Sequence, residues 1–256
     1  MLFFCVYEPH NNMSKTAIII PARLQAKRLP SKPLKLINNK EMILHVYNVA
    51  KTADADQVVV ATPDKEIFDL IERNGGKAAI TKMEHETGTD RVFEVFQKDL
   101  KGEPEFIINL QGDMPNLDPT AINFLIGHMK KNICDVGTLA SKLNFEKEEK
   151  DPNIVKVITK KVIEKRDFSN ALDFFRVLKN FPSNLTYHHI GIYAFTNKAL
   201  IRYVNLKRSK LEINRNLEQM RAMENKMKIK VGYTASNPLS IDTEEDLNKV
   251  KKLMEK

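Results

Sequence analysis

The chain has 256 residues, 42% hydrophobic and 29% charged, enough for a large core in one domain or in one domain with an insertion. No apolar run approaches the roughly 18 residues that span a bilayer, so we expect no membrane partner. A net charge of +8 would suit a nucleic-acid binder, but no basic block is interleaved with aromatic residues. We therefore expect an anionic small substrate and no nucleic acid. Two cysteines cannot make a disulfide framework, which predicts a cytoplasmic location.

The first residues do not fit the pattern of the rest of the chain. Residues 1–13 hold a short apolar patch that ends early, without the basic start or cleavage site of a signal peptide. Met13 stands directly before an apolar strand pattern. We expect 1–13 to be an extension, disordered or mis-annotated, and 14–256 to form a single domain.

In the first half, short apolar strands alternate with amphipathic helices, the pattern of a mainly parallel α/β sheet flanked by helices. The predicted strands are Ile18–Ile20, Gln57–Ala61, Lys77–Ile80, Phe106–Leu110 and Val136–Leu139. The predicted helices are Glu41–Lys51, the segment 67–71 that Gly75 stops, the segment 92–96, and Pro119–Lys131.

The second half begins with a charged connector, Asn144–Asp151, and its pattern is more irregular. The predicted strands are Val155–Thr159, Val162–Lys165, Tyr187–Phe195 and Lys228–Tyr233, with Phe168–Ser183 irregular. The predicted helices are Leu200–Tyr203, Leu217–Glu224 and Thr243–Lys256. We interpret the segment from about 144 to 195 as an antiparallel flap inserted into the α/β domain.

A cationic loop follows the first strand, which Pro21 ends. The loop carries four cations with no acid between them: Arg23, Lys27, Arg28 and Lys32. Pro30 and Pro33 each fix one backbone torsion, which lowers the entropy of holding the cations in place. Because ligands bind at the carboxyl ends of strands in an α/β sheet, the loop is a candidate polyanion site. A solvated basic surface loop is the alternative.

Two acidic residues are candidate metal ligands. Asp113 follows the strand Phe106–Leu110 through Gly112, which permits a sharp exit, and Asp242 precedes the last helix. Mg²⁺ takes one or two carboxylates together with phosphate oxygens, so the pair suits it if the fold brings them together. Structural alternatives remain open: Asp113 as a turn residue, and Asp242 as a helix cap with Glu245 in a capping box.

Two further segments carry polar groups. His85–Arg91 contains hydroxyls and a glycine at the start of a predicted helix, which suits an anion or the polar edge of a base. A plain N-cap loop is the alternative. His188 and His189 are adjacent on a predicted strand and point to opposite faces, so we expect no zinc site there.

Seven ordered motifs connect these segments. They are Pro-Ala-Arg with Arg-Leu-Pro-Ser-Lys-Pro-Leu at 21–34, His-x-Thr-Gly-Thr-Asp-Arg at 85–91, Gln-Gly-Asp at 111–113, Asp-Pro-Asn-x-Val-Lys-Val at 151–157, His-x-Gly-Ile-Tyr at 189–193, Leu-Glu-Gln-x-Arg at 217–221 and Asp-Thr-x-Glu-Asp-Leu at 242–247. Read together, from about Ser14 to the C-terminus, they resemble the 3-deoxy-manno-octulosonate cytidylyltransferases, or CMP-Kdo synthetases. Any one motif alone would be weak.

The resemblance implies a Rossmann-like fold of the nucleotide-diphospho-sugar transferase type. It implies an enzyme that joins CTP and 3-deoxy-D-manno-octulosonate (Kdo) to give CMP-Kdo and pyrophosphate for lipopolysaccharide biosynthesis. Arg23, Arg28, Lys32 and Asp113 would be catalytic, and Asp113 and Asp242 would hold the cofactor Mg²⁺. The implied substrate-binding residues are Thr87, Gly88, Arg91, Gln111, His189, Tyr193, Glu218 and Gln219. The family is typically a homodimer, with part of the flap at the interface.

The chain departs from the family pattern at three positions. Met114 replaces a usual glutamate, and Asn170 and His188 stand where arginines are common. The loss of two cations near a sugar carboxylate puts the identity of the sugar in question. Three nearby cations could compensate: Lys165, Arg166 and Arg176. The alternatives are a CMP-sugar synthetase for amino-Kdo or sialic acid, of which the loop motif disfavours the sialate group, and a non-catalytic nucleotide- or nucleic-acid-binding protein.

Overall fold

The computed structural model describes residues 15–25, 28–131, 134–177 and 180–255; the predicted extension 1–13 and Lys27 lie outside them. The strands are β1 (Thr16–Pro21), β2 (Leu36–Ile37), β3 (Lys40–Glu41), β4 (Gln57–Thr62), β5 (Ala78–Ile80), β6 (Phe106–Leu110), β7 (Val136–Ser141), β8 (Lys156–Thr159), β9 (Phe168–Phe175), β10 (Thr186–Thr196) and β11 (Ile229–Tyr233). The helices are α1 (Met42–Lys51), α2 (Lys65–Arg73), α3 (Gly88–Lys98), α4 (Pro119–Lys131), α5 (Phe145–Glu148), α6 (Asn197–Val204), α7 (Lys210–Arg215), α8 (Gln219–Glu224) and α9 (Glu244–Met254). Within the described residues, no helix is long and apolar enough to cross a membrane.

Strands from both halves of the described chain form one mixed sheet in the order β5-β4-β1-β6-β10-β7-β11-β9-β8. β1 is parallel to β4 and β6, β4 is parallel to β5, and β7 is parallel to β11. β10 runs antiparallel to both β6 and β7, between which it lies. The α/β class is therefore as predicted, whereas the sheet is mixed rather than mainly parallel.

The antiparallel strands of the second half belong to this same sheet. β8 pairs with β9 and with the first residues of β10, and β9 pairs with β11. The strand predicted at Val162–Lys165 is wrong, because this segment is a loop. The Ile163 amide there donates to the Tyr187 hydroxyl at 2.9 Å instead of to a strand. Phe168–Phe175, predicted to be irregular, is β9, because it pairs with β11 on one side and with β8 on the other.

The sheet is covered by helices on both faces. Ile18 and Ile20 of β1 pack in an apolar cluster with residues of α1, α2 and α4, whereas Ala17 and Ile19 pack with residues of α3, α6 and α8. All four side chains are fully buried, as expected for a strand between two helical layers. The predicted strand Ile18–Ile20 is thus buried between the two helical layers.

A third apolar cluster anchors the cationic loop. Leu29 of that loop packs with Ile241 and Leu247, which flank Asp242 in sequence. The Ile241 amide also donates to the Asp113 carbonyl at 3.0 Å. Apolar packing and one main-chain hydrogen bond therefore bring the cationic loop and both predicted metal ligands to the same place.

Candidate active site

Two cavities lie where β1 and β6 end, with volumes of about 700 and 720 Å³, within the range of small-ligand sites. The predicted site residues all line one or both. The first cavity is lined by Arg23, Lys32, Thr87, Gly88, Arg91, Gln111 and Asp113. The second is lined by Arg28, Gln111, His189, Tyr193, Glu218, Gln219 and Asp242.

The ammonium group of Lys32 joins the two predicted metal ligands. Its Nζ lies 2.8 Å from an oxygen of Asp113 and 3.1 Å from an oxygen of Asp242. Arg28 donates to the other Asp242 oxygen at 2.7 Å. Burial acts to lower the pKa of Lys32, but the charges and hydrogen bonds of the two carboxylates outweigh it, and the pKa is raised. Asp113 lines one cavity and Asp242 the other, so these contacts lie where the cavities meet.

The donor set at this boundary suits a hard cation. Across the described residues, no group of three or more His, Cys, Asp or Glu side chains gathers as a metal site would require. A metal at Asp113 and Asp242 would therefore take two carboxylates from the chain and its remaining ligands from phosphate or water. This is the way in which proteins usually hold Mg²⁺.

Asp242 is not the cap of helix α9. Thr243 is the N-cap: its hydroxyl accepts from the Asp246 amide at 3.2 Å, and the Asp246 carboxylate accepts from the Thr243 amide at 3.0 Å. A capping box is present, but it is formed by Thr243 and Asp246 and not, as the structural alternative had it, by Asp242 and Glu245. The Asp242 carboxylate therefore remains available to Lys32 and Arg28.

Gly112 is required by close packing between the ends of β1 and β6. A Cβ at this position would lie 3.1 Å from the Pro21 carbonyl oxygen and 3.4 Å from Cδ1 of Ile43. The absence of a side chain lets the two strand ends approach each other. Gln111 and Asp113 are thereby presented beside the cationic loop.

The loop before α3 is both a helix cap and a cavity wall. Thr87 and Asp90 form a capping box, and Thr87 and Gly88 line the first cavity. Arg91 also lines it, yet the residue is only 3% exposed and donates to the Thr81 hydroxyl and to carbonyls of the preceding segment. Arg91 therefore holds the cavity wall in place in addition to contributing charge.

Glu94 fixes His85 at the wall of the first cavity, a contact that sequence reasoning missed. Its carboxylate lies 2.6 Å from His85 Nε2 and accepts from the Lys82 amide at 3.0 Å. Burial opposes ionisation of Glu94, but hydrogen bonds from Lys98, His85 and Lys82 lower its pKa to about 2. Glu94 is therefore a carboxylate at neutral pH and a fixed partner for the imidazole.

The second cavity presents buried polar groups. His189 Nε2 lies 2.9 Å from the Thr138 hydroxyl, which donates to the Ile192 carbonyl, so the ring nitrogen is assigned as the donor. Burial lowers the pKa of His189 to about 3 and raises the pKa of Tyr193 and of Glu218. Among the described residues, Glu218 Oε1 is buried without a hydrogen-bond partner. A ligand hydroxyl at this atom would satisfy it.

A buried lysine lies behind the wall of the second cavity, and the sequence analysis assigned it no role. Lys156 is fully buried, and its Nζ donates to the carbonyls of Asp151 and Arg176, each at 2.7 Å. Arg176 donates to the Asn153 carbonyl at 3.0 Å, and the Asn153 side chain accepts from Arg28 at 3.3 Å. The available signal was the motif at 151–157, whose lysine is a charged residue within a strand pattern.

The three departures from the family pattern differ in position. Met114 and His188 line the second cavity. Asn170 is exposed on β9, pairs with β11, and does not belong to the lining of that cavity. Among the three candidate compensating cations, the one in this lining is Arg176.

Sequence comparison places the chain among known enzymes. The profile of a family described as cytidylyltransferase matches residues 17–229. A 3-deoxy-manno-octulosonate cytidylyltransferase of Brucella ovis is 39% identical over 238 residues, which cover 93% of this chain and 94% of that protein. The chain belongs to the 3-deoxy-manno-octulosonate cytidylyltransferase family.

Solved structures resemble this cytidylyltransferase along almost all of its length. A CMP:2-keto-3-deoxy-manno-octonic acid synthetase complexed with CTP is 36% identical with a TM-score of 0.84, covering 94% of this chain and 98% of that one. A 4-diphosphocytidyl-2C-methyl-D-erythritol synthase of Anaerococcus prevotii is 15% identical with a TM-score of 0.64, covering 95% and 99%, which shows the fold alone. These similarities confirm the predicted α/β class of the fold.

Proposed function

We propose that this cytidylyltransferase joins CTP and Kdo to give CMP-Kdo and pyrophosphate, which activates Kdo for lipopolysaccharide biosynthesis. The observation that carries the proposal is the contact of Lys32 with Asp113 and Asp242 where two cavities meet. One cavity has a cationic wall for a triphosphate, and the other has buried polar groups for a sugar acid. The names of the similar proteins and the CTP bound to one of them support both substrates.

In the proposed reaction the anomeric hydroxyl of Kdo attacks the α-phosphorus of CTP, and the bond to the pyrophosphate group breaks. Arg23, Arg28 and Lys32 neutralise the triphosphate and the departing pyrophosphate. The chain contributes by positioning and by electrostatics, and it forms no covalent intermediate. The boundary between the cavities is where the two reacting groups would meet.

Mg²⁺ is the proposed cofactor, and Asp113 and Asp242 would hold it. When bound, it would supply positive charge at the α-phosphate and lower the pKa of the attacking hydroxyl. The remaining lining residues are proposed to bind the substrates. Three of them would face the nucleotide and the sugar: Thr87, Gly88 and Arg91. Five would form the Kdo pocket: Gln111, His189, Tyr193, Glu218 and Gln219.

Assembly and location form a further part of the proposal. Residues 14–256 are proposed to be one catalytic domain, with the segment from about 144 to 195 inserted in it as an antiparallel flap. The protein would act as a homodimer, with part of the flap at the interface, in the cytoplasm, where CTP is available. Sedimentation that finds a monomer at micromolar concentration would contradict the dimer.

A panel of sugar acids tests the activity. We expect pyrophosphate release from CTP and Mg²⁺ with Kdo, and loss of the rate when the metal is chelated. Amino-Kdo and sialic acid are the comparison substrates, because Met114 and His188 alter the second cavity. Turnover of sialic acid without turnover of Kdo would reject the proposed substrate. No turnover with any sugar acid would favour a non-catalytic nucleotide-binding protein.

Replacement of Lys156 by methionine is expected to raise the KM for Kdo about tenfold while changing the KM for CTP by less than about twofold. The buried ammonium connects the main chains of Asp151 and Arg176, which line the second cavity. Methionine keeps the length of the side chain but removes both hydrogen bonds. Initial rates with each substrate varied in turn provide the measurement.

The matched control is Lys160→Met, four residues further along the chain. Lys160 is exposed and directly follows β8, so both KM values should stay within about twofold of the parent protein. A general loss of stability in the Lys156 variant would not raise the KM for Kdo more than the KM for CTP. Equal increases in the two KM values would therefore contradict a role for Lys156 in positioning the second cavity.

A further inference from the structure

The ammonium of Lys32 lies between the two carboxylates that would hold a metal. We propose that Lys32 is a placeholder cation: it holds Asp113 and Asp242 together in the nucleotide-free protein and moves to the phosphates when metal and nucleotide enter together. This proposal rests on the proposed function. It adds a competition between one side chain and the metal for the same pair of oxygens, which lie 2.8 and 3.1 Å from Nζ.

The fold brings the two carboxylates together before any ligand arrives. The Ile241 amide donates to the Asp113 carbonyl, and the apolar cluster around Ile241 fixes the segment that carries Asp242. Two like charges held close together in a half-buried site need a cation between them. Lys32 supplies it, since its side chain is 18% exposed and contacts both carboxylates, whereas Arg28, 56% exposed, contacts only one of the two, that of Asp242.

Competition follows from this geometry. A divalent ion that binds the two oxygens that Lys32 contacts, Asp113 Oδ2 and Asp242 Oδ1, must break both contacts and would then lie next to a displaced positive charge. Free metal should therefore bind weakly. A triphosphate in the first cavity gives the displaced ammonium a new anionic partner, because Lys32 lines that cavity. Metal and nucleotide should consequently strengthen each other's binding, and such coupling is reciprocal.

The test measures the binding of Mn²⁺, a probe for the metal, to the full chain by electron paramagnetic resonance. In Lys32→Met we expect Mn²⁺ alone to bind about tenfold more tightly than in the parent protein, because the competing ammonium is gone. With CTP present we expect Mn²⁺ to bind about tenfold more weakly, because the triphosphate loses a cationic partner. Opposite changes in the two affinities are the signature of a placeholder.

Lys35→Met is the matched control. Lys35 lies three residues after Lys32, and its Nζ is 3.9 Å from a Glu244 oxygen instead of in contact with either aspartate. Removing this charge should leave both Mn²⁺ affinities within about twofold of the parent. Circular dichroism checks that the Lys32 variant is folded, and Lys32→Gln provides a second variant with a polar side chain.

Two outcomes separate this inference from the proposed function. The first is that, without CTP, Lys32→Met binds Mn²⁺ no more tightly than the parent protein, or that neither protein binds it measurably. This result would overturn the placeholder proposal and leave the transferase proposal standing. If Asp113→Asn leaves Mn²⁺ binding in the presence of CTP unchanged, the metal site of the proposed function fails instead.

Discussion

Replacement of Asp113 by asparagine is expected to lower kcat by roughly a thousandfold or more while the protein stays folded. The side chain keeps its shape but loses the charge that would hold Mg²⁺ at the reacting phosphate. We expect the fold to persist, because the main-chain contact of Asp113, in which its carbonyl accepts from the Ile241 amide, does not involve the carboxylate. Pyrophosphate release at saturating CTP and Kdo measures the effect, and circular dichroism checks the fold.

The same chemical change at an exposed position is the control for Asp113. Asp54 is exposed on the turn after α1 and lies outside the linings of both cavities, so Asp54→Asn should keep the parent rate. An Asp113 variant that retained the parent rate would point to a protein that binds a nucleotide without catalysis. It would also leave the convergence with Asp242 without a chemical role.

Replacement of Glu212 by glutamine is expected to lower the free energy of unfolding by about 3–5 kcal/mol. Glu212 is 1% exposed and accepts two hydrogen bonds from Arg221, at 2.7 and 2.8 Å. The variant would leave the guanidinium of Arg221 buried without its counter-charge, 4.7 Å from the centre of the Tyr203 ring. Urea denaturation followed by circular dichroism measures the change.

The effect of this substitution should depend on pH. Burial opposes ionisation of Glu212, but hydrogen bonds from Arg221 and Ser209 outweigh it, and the pKa is lowered. A lowered carboxyl pKa stabilises the protein above the ordinary pKa of glutamate, and the contribution disappears as pH falls through the folded-state value. The difference between parent and variant should therefore be full at neutral pH and shrink in acid.

The control for Glu212 is an ion pair on the surface. Asp69 pairs with Lys65 on α2, and both side chains are exposed, so Asp69→Asn should change the stability little. The comparison separates loss of an ion pair as such from loss of a buried counter-charge. If both variants unfolded at the same urea concentration, the buried pair would contribute no more to the free energy of unfolding than the exposed pair does.

The Glu212 pair also bears on the second cavity. Arg221 belongs to the same motif as Glu218 and Gln219, and the Tyr203 hydroxyl below its guanidinium donates to the Glu218 carbonyl at 2.9 Å. The motif at 217–221 thus contains three residues of the cavity lining, Leu217, Glu218 and Gln219, and an arginine that fixes this segment. Sequence reasoning named Glu218 and Gln219 as substrate-binding residues and assigned no role to Leu217 or to the arginine.

The sequence by itself determined the elements whose signal is local. The apolar runs at Ile18–Ile20, Gln57–Ala61 and Phe106–Leu110 all lie within observed strands, and Gly75, with a φ of +72°, follows the end of α2 as predicted. Such features depend on side-chain periodicity and on the backbone freedom of one residue. The chemical types at the site, cations in one loop and acids in two others, can likewise be read from the chain.

Only the tertiary structure decided which distant residues meet. β10 runs antiparallel between β6 and β7, and β9, which was predicted to be irregular, is the strand that pairs with β8. Lys32 lies between Asp113 and Asp242. Lys156 is buried although it is charged, because the carbonyls of Asp151 and Arg176, from separate loops, accept hydrogen bonds from its ammonium group. These outcomes depend on packing and hydrogen bonds between segments far apart in the chain. Local residue patterns do not specify which distant segments will make contact.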